Sequence, residues 1–176
     1  MMTKLLTNCA MTDTPHQTTI IGDSGPLIAL AIIGQLDLLN LLYGHVVIPQ
    51  MVWDEVTIHG KGLAGSLEVS RLTWVTIKTP EIQWLAPLAV LVDKGEAQAI
   101  ALALTEPNCT VLLDDAQARR VAERFGVSRI GTLGILRKAK KAGYISHIKP
   151  CIEQLQLSGI YIKQTLIDAI LHDVGE

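Results

Sequence analysis

The chain has 176 residues, 49% of them hydrophobic and 18% charged, with a formal net charge of -2. This composition suits one well-buried domain and excludes a disordered chain. The near-neutral charge excludes a strongly basic nucleic-acid module, though not an enzyme that draws nucleic acid through bound cations and a local basic patch. Aromatic residues make up only 4%, too few for the stacking platforms of single-strand binders.

Cys9, Cys109 and Cys151 are odd in number and none pairs at CxxC spacing, so reduced thiols and a cytoplasmic location are expected. Residues 1–18 carry one lysine, Lys4, and no long apolar run. They read as a loose extension rather than a signal peptide, and Met11 is an equally good start. No charge-free apolar stretch is long enough to cross a bilayer, so a soluble protein without a membrane partner is expected. Residues 19–176 are assigned to a single domain that includes a helical C-terminal tail.

In chain order, Thr19 to Gly22 is a short β-prone run that stops at Asp23. Ser24-Gly25-Pro26 then opens an apolar helix, with Ser24 as candidate cap and proline in the first turn. A second short helix, Leu36 to Leu42, ends at Gly44. His45 to Ile48 is a strand, and Pro49 starts a helix from Gln50 to Thr57 that carries Glu55. His59 to Ser66 is a glycine-rich break without phosphate-loop spacing, read as a mobile loop. Trp74 to Ile77 alternates as a strand, Thr79 to Pro87 is a connection, and Leu88 to Val92 is a short helical piece.

Asp93 to Thr105 is a helix with Glu96 in its first turn and a buried stripe of Ala97, Ile100, Ala101 and Leu104. Its alanines let it lie close to a neighbour. Thr110 to Leu113 is a buried strand that runs into Asp114 and Asp115, followed by a helix with Ala118, Val121, Ala122 and Phe125 at helical spacing. Asp115 is well placed to cap that helix. Val127 to Ile130 is a strand, and Gly131-Thr132 opens a helix whose Lys138, Lys140 and Lys141 suit its dipole. Helices from Ile152 to Leu157 and from Lys163 to His172 form the tail.

Alternating strands and helices predict an α/β fold: a central, mainly parallel sheet of about five strands with helices on both faces. If the strands at Thr19 and Thr110 are neighbours, Asp23, Asp114 and Asp115 meet at the carboxyl edge of the sheet, where ligands of such folds bind. Clustered carboxylates either hold a cation or have raised pKa values. With oxygen donors only, the expected ion is Mg²⁺ or Mn²⁺. His45, His59, His147 and His172 show no ligand spacing, and Trp53, Trp74 and Trp84 are expected to pack in the core or at an interface.

The segments IIGDSGPLIAL, HVVIPQMVWDEV, GEAQAIALAL, VLLDDAQARRVAERFG and GTLGILRKAKKAG, in this order, resemble the PIN-domain nucleases, and most closely their VapC-like toxin branch. The resemblance runs over residues 19 to 150 and rests on five motifs in register. It implies a PIN-like fold and a metal-dependent endoribonuclease with acids converging from four places. Asp23 matches the first acid, Glu55 the second and Glu96 the third, where many members carry aspartate. Asp114 and Asp115 occupy the region of the fourth, and either fits. Asp23, Glu96, Asp114 and Asp115 are the implied metal ligands, with room for a second ion near Glu55. Ser24 and Thr132 match small polar positions lining the site, and Arg119, with Arg120, Arg124 and Lys138, is placed to meet the RNA backbone.

The same resemblance implies a small antitoxin as partner and a homodimer. It assigns no role to residues from about 151 onward. Each acid also has a structural explanation, as strand terminus, helix cap or solvated side chain. Two other functions therefore stand beside the toxin. One is a catalytically silent PIN-like binding module. The other is a receiver or Mg²⁺ phosphatase, which would want paired acids after the first strand, where Asp23 stands alone.

Overall fold

The computed structural model describes residues 18–176. The expected extension at 1–18 therefore lies outside the described residues except for Thr18, and so does Cys9. Five strands, β1 (Thr19–Gly22), β2 (Val46–Pro49), β3 (Val75–Lys78), β4 (Cys109–Leu112) and β5 (Arg129–Ile130), form one sheet in the order β3-β2-β1-β4-β5. Every pairing is parallel. The central strands β1 and β2 are buried along their whole length, which is why they read as apolar runs rather than alternating ones.

The helices are α1 (Ser24–Ile32), α2 (Asp37–Tyr43), α3 (Gln50–Asp54), α4 (Ser66–Ser70), α5 (Ile82–Leu88), α6 (Lys94–Thr105), α7 (Ala116–Arg124), α8 (Thr132–Lys141), α9 (Lys149–Leu157) and α10 (Gln164–Val174). The alternation of side chains along each strand divides the core between the two faces of the sheet. Ile20, Val46, Ile48 and Leu112 join the layer built with α1, α2, α8, α9 and α10. Ile21, Val47, Val111 and Leu113 join the layer built with α6 and α7.

Helix α6 departs from the expected stripe. Nine consecutive residues, Gly95 to Ala103, are buried, because the helix lies between the sheet and α3 and α5. Its alanines are what make that approach sterically available. The buried Gln98 is satisfied by accepting the Met51 amide at the start of α3, 3.2 Å away.

Three other segments also differ from expectation. The connection at 79–87 holds a helix, α5, with Pro87 inside its last turn, where its missing N–H forgoes one intrahelical bond. Helix α3 continues as one π-helical turn, Glu55–His59, and the glycine-rich break ends in α4, entered through Gly65 at a φ of 84°. Trp53 and Trp74 pack against one core layer and Trp84 against the other.

The tail is part of the domain. Ile148, Ile152, Leu155, Ile167 and Ile170 are buried in the same layer as α1 and α8. The lysines of α8 serve this packing as well as the helix dipole: Lys140 pairs with Glu176 at 2.9 Å and Lys141 with Asp173 at 2.8 Å. The Glu176 carboxylate also accepts the amides of Ile148 and Lys149 at 2.9 and 3.0 Å, closing the N-terminus of α9. Burial would push its pKa up, but the Lys149 and Ile148 amides and the Lys140 ammonium outweigh it and hold the pKa at about 2. A depressed carboxylate stabilises the fold above its unfolded pKa and loses that contribution as pH falls through the folded value. Glu176→Ala should therefore lower the melting temperature by ~3 °C at pH 7, the worth of one helix cap of about 1 kcal/mol. In a pH series of thermal melts the gap to wild type should close towards pH 2.

Among the described residues no single helix is long and apolar enough to cross a membrane. The bent pair α1 and α2 has a sufficient combined length, but its apolar side chains Leu27, Leu30, Leu38 and Leu39 are spent in the core.

Candidate active site

Strands β1 and β4 are neighbours, with Gly22 level with Leu112. Asp23 and the pair Asp114-Asp115 therefore leave the sheet side by side at its carboxyl edge. Helix α6 brings its first turn to the same place. Asp93 caps α6 by accepting the Glu96 amide at 2.8 Å, while the Glu96 carboxylate accepts the Asp93 amide at 3.2 Å. This reciprocal capping box orders both acids. Asp93 was not among the expected site residues. Its signal was present as Asp-x-x-Glu at the head of the helix, a spacing that the reading of Glu96 alone left unused.

Asp23 is 6% exposed, and its Oδ1 is buried without a hydrogen-bond partner. Burial drives its pKa up; the Ser24 amide pulls it down part of the way, and the charges of Asp93, Glu96 and Glu55 raise it again, to about 7. Ser24 is half-buried beside it, and its side chain does not cap α1. Glu96 is 7% exposed and is likewise raised to about 7, by burial first, then by Asp93, with Asp115 and Glu55 adding to it. Glu55 reaches the group from the start of the π-helical turn.

Gly95 is the hinge of this arrangement. A Cβ there would lie 3.3 Å from both Asp23 Oδ1 and Glu55 Oε2. The missing side chain is what leaves the two carboxylates facing a common space. Gly95→Val should fill it and weaken Mn²⁺ binding at least tenfold by calorimetry, whereas unchanged affinity would show that this space is not used.

Asp114 and Asp115 diverge. The Asp115 carboxylate caps α7, accepting the amides of Gln117 and Ala118 at 2.7 and 2.8 Å. It also lines an open polar hollow with Asp93 and Glu96. Asp114 turns the other way, and its two oxygens accept the Thr132 amide at 2.8 Å and the Thr132 hydroxyl at 2.6 Å. Thr132 is thus buried as a partner of Asp114. Arg119 bonds the Leu113 carbonyl at 2.9 Å. Arg120 and Arg124 are exposed on α7. Lys138 is committed elsewhere, its ammonium 3.2 Å from the Tyr43 hydroxyl and over that ring.

The structure thus brings Asp23, Glu55, Asp93 and Glu96 together, with Asp115 at the Glu96 side and Asp114 facing away. Among the described residues no three such side chains close into a preformed metal shell. The donor chemistry nonetheless fits a hard divalent cation. The donors are all oxygens, one of them buried and unpartnered, and burial together with the neighbouring acids raises the pKa of both Asp23 and Glu96 to about 7, a cost that a bound cation would offset.

A parallel sheet with crossover helices and a nest of acids at its carboxyl edge defines an α/β domain of the kind that binds ligands at that edge. A family model for DUF3368, described as a PIN domain, matches residues 19–176. The chain belongs to the PIN-domain family, a nuclease superfamily whose members generally use divalent metal ions. The match includes α9 and α10, so the tail is a family element. No curated protein matches the chain.

Proposed function

We propose that this PIN domain is an endoribonuclease that works with Mg²⁺ or Mn²⁺ as the toxin of a toxin-antitoxin pair. The observation that carries the proposal is the buried, unpartnered Asp23 Oδ1, facing Glu55 across Gly95, in a carboxyl whose pKa is raised to about 7 by burial first and by the surrounding acids second. Asp23 and Glu96 would hold the cation, with Glu55, Asp93 and Asp115 flanking it. When bound, the cation supplies Lewis-acid polarisation of the phosphodiester and a water of lowered pKa.

The protein's own groups do the rest. The capping box fixes Glu96, the α7 cap fixes Asp115, and Asp114 ties α8 to β4 through Thr132. Arg119 and Arg120 project from the first turns of α7 beside these acids and supply salt-dependent affinity for the RNA backbone. Attack by water forms a new P–O bond and breaks the bond to the 3′ oxygen, which leaves protonated. Products should therefore carry 5′-phosphate and 3′-hydroxyl ends. End-labelling of cleaved RNA checks this, and 2′,3′-cyclic phosphate ends would exclude water as the nucleophile.

Partners follow from exposed apolar side chains beside the Glu55 element. Ile58, Leu63 and Leu67 are all more than half exposed around the π-helical turn and α4, a surface suited to a small antitoxin or a second copy. That no three acids among the described residues close into a preformed shell favours a second reading, a catalytically silent PIN module. A mixed RNA pool incubated with Mg²⁺ or Mn²⁺ and with EDTA separates the two. Metal-dependent cleavage supports the ribonuclease, and metal binding without cleavage supports the silent module.

A further inference from the structure

A second hollow abuts the acidic one. It encloses about 540 Å³ between α7, α8 and the tail, and Asp114 lies in its wall while the adjacent Asp115 lines the acidic hollow. Leu133, Leu155 and Ile160 make its floor aliphatic, and Leu166, half exposed, and Tyr161, 85% exposed, stand at its edge. Four cations, Arg119, Arg120, Arg129 and Lys163, line it against two acids. Both acids are engaged: Glu123 pairs with Arg129 at 2.9 Å, and Asp114 is held by Thr132. Among the described residues Arg120 and Lys163 make no ion pair.

We propose that this cavity is a nucleotide subsite that takes the base and ribose of one RNA residue, with the adjoining phosphate held at its rim by Arg120 and Lys163. Three features select that occupant. The volume is that of a small-molecule site. The aliphatic floor and exposed Tyr161 ring offer a flat apolar contact of the kind bases stack on. The excess cations at the mouth call for an anionic group attached to that apolar body. Asp114 and Asp115 are consecutive, so this cavity and the acidic hollow flank the same segment of chain, and the inference rests on the ribonuclease reading while using none of the groups assigned there to the cation. It also gives α9 and α10 a role, since they supply one wall.

The test titrates ribonucleoside 5′-monophosphates, and separately inorganic phosphate, into the full chain in excess EDTA, read by calorimetry. At least one monophosphate should bind, with inorganic phosphate at least tenfold weaker. Ala116→Trp, at the exposed start of α7 in the cavity wall, and Lys163→Glu should each weaken binding at least tenfold, with unchanged thermal melts as the folding check. Asp23→Asn should bind within twofold of wild type. Equal binding to both cavity variants, or phosphate binding as tightly as nucleotide, overturns the subsite. So does an acidic, leucine-rich peptide that binds where no nucleotide does. Because metal is absent, the outcome is independent of hydrolysis. Cleavage without nucleotide binding removes the subsite alone, whereas nucleotide binding lost in Ala116→Trp without any RNA cleavage keeps the subsite and removes the ribonuclease.

Discussion

Asp23→Asn should raise the melting temperature of the metal-free protein at pH 8 by ~4–8 °C, and at the same time remove its response to Mn²⁺. Burial pushes the Asp23 pKa from its ordinary value of 3.8 up to about 7. An acid whose pKa is raised on folding favours the folded state fully below its unfolded value and loses that contribution as pH rises through the folded value. Wild type should therefore lose stability between about pH 4 and pH 7, and more weakly in the variant, where Glu96 still titrates. Burying the charge at pH 8 costs on the order of 2 kcal/mol once screening by the neighbouring groups is allowed for, which sets the melting shift for a domain of this size. Saturating Mn²⁺ should reverse the ranking, because a ligand at a hundredfold excess over Kd adds about 2.7 kcal/mol to the form that binds it. Thermal melts at pH 5 and pH 8, with and without metal, check all of this. A variant less stable than wild type at pH 8 without metal would show that Asp23 is a structural acid satisfied by its surroundings.

Removal of residues 159–176 should abolish cooperative folding. The deleted segment carries Ile167 and Ile170, both buried, with Ile160, Ile162, Leu171 and Val174 packed on the same layer. Each fully buried aliphatic side chain is worth about 1.5–3 kcal/mol, and the deletion also strips Glu176 from the α9 amides and from Lys140. Together these losses match the 5–15 kcal/mol that ordinarily separates folded from unfolded domains. The truncated chain should be insoluble, or should melt without a transition by circular dichroism. A cooperative melt within 5 °C of the full chain would mean that the tail is an appendage.

The order of elements and the sheet were readable because the local signals agree. Apolar runs such as Thr19 to Gly22 ended in Asp or Pro, and helical spacing resumed directly after them. The burial of α6 on all sides was not readable from its stripe, since alanine satisfies a helix face whether or not something covers it. Helix α5 was hidden by Pro80 and Pro87, which read as loop punctuation although one precedes the helix and the other sits in its last turn. At the site, Asp23, Asp114 and Asp115 could be placed at the sheet edge from the strand ends, whereas Glu96 joined them only through the family resemblance. The divergence of Asp114 and Asp115 could not be read from sequence, because it depends on Thr132 arriving from the head of α8, 18 residues on, to take both oxygens of Asp114.

The central claim is that the acids at the carboxyl edge of the sheet hold a divalent cation and cleave RNA. Its most direct test is the cleavage of a labelled single-stranded RNA by the purified protein with Mn²⁺, with EDTA, and with Asp23→Asn in place of wild type. The account predicts cleavage only by wild type with metal, and at least a 10³-fold loss in the variant, as expected when a metal-binding acid is removed from a site of this chemistry. Equal cleavage by Asp23→Asn, or cleavage that survives EDTA, would contradict it.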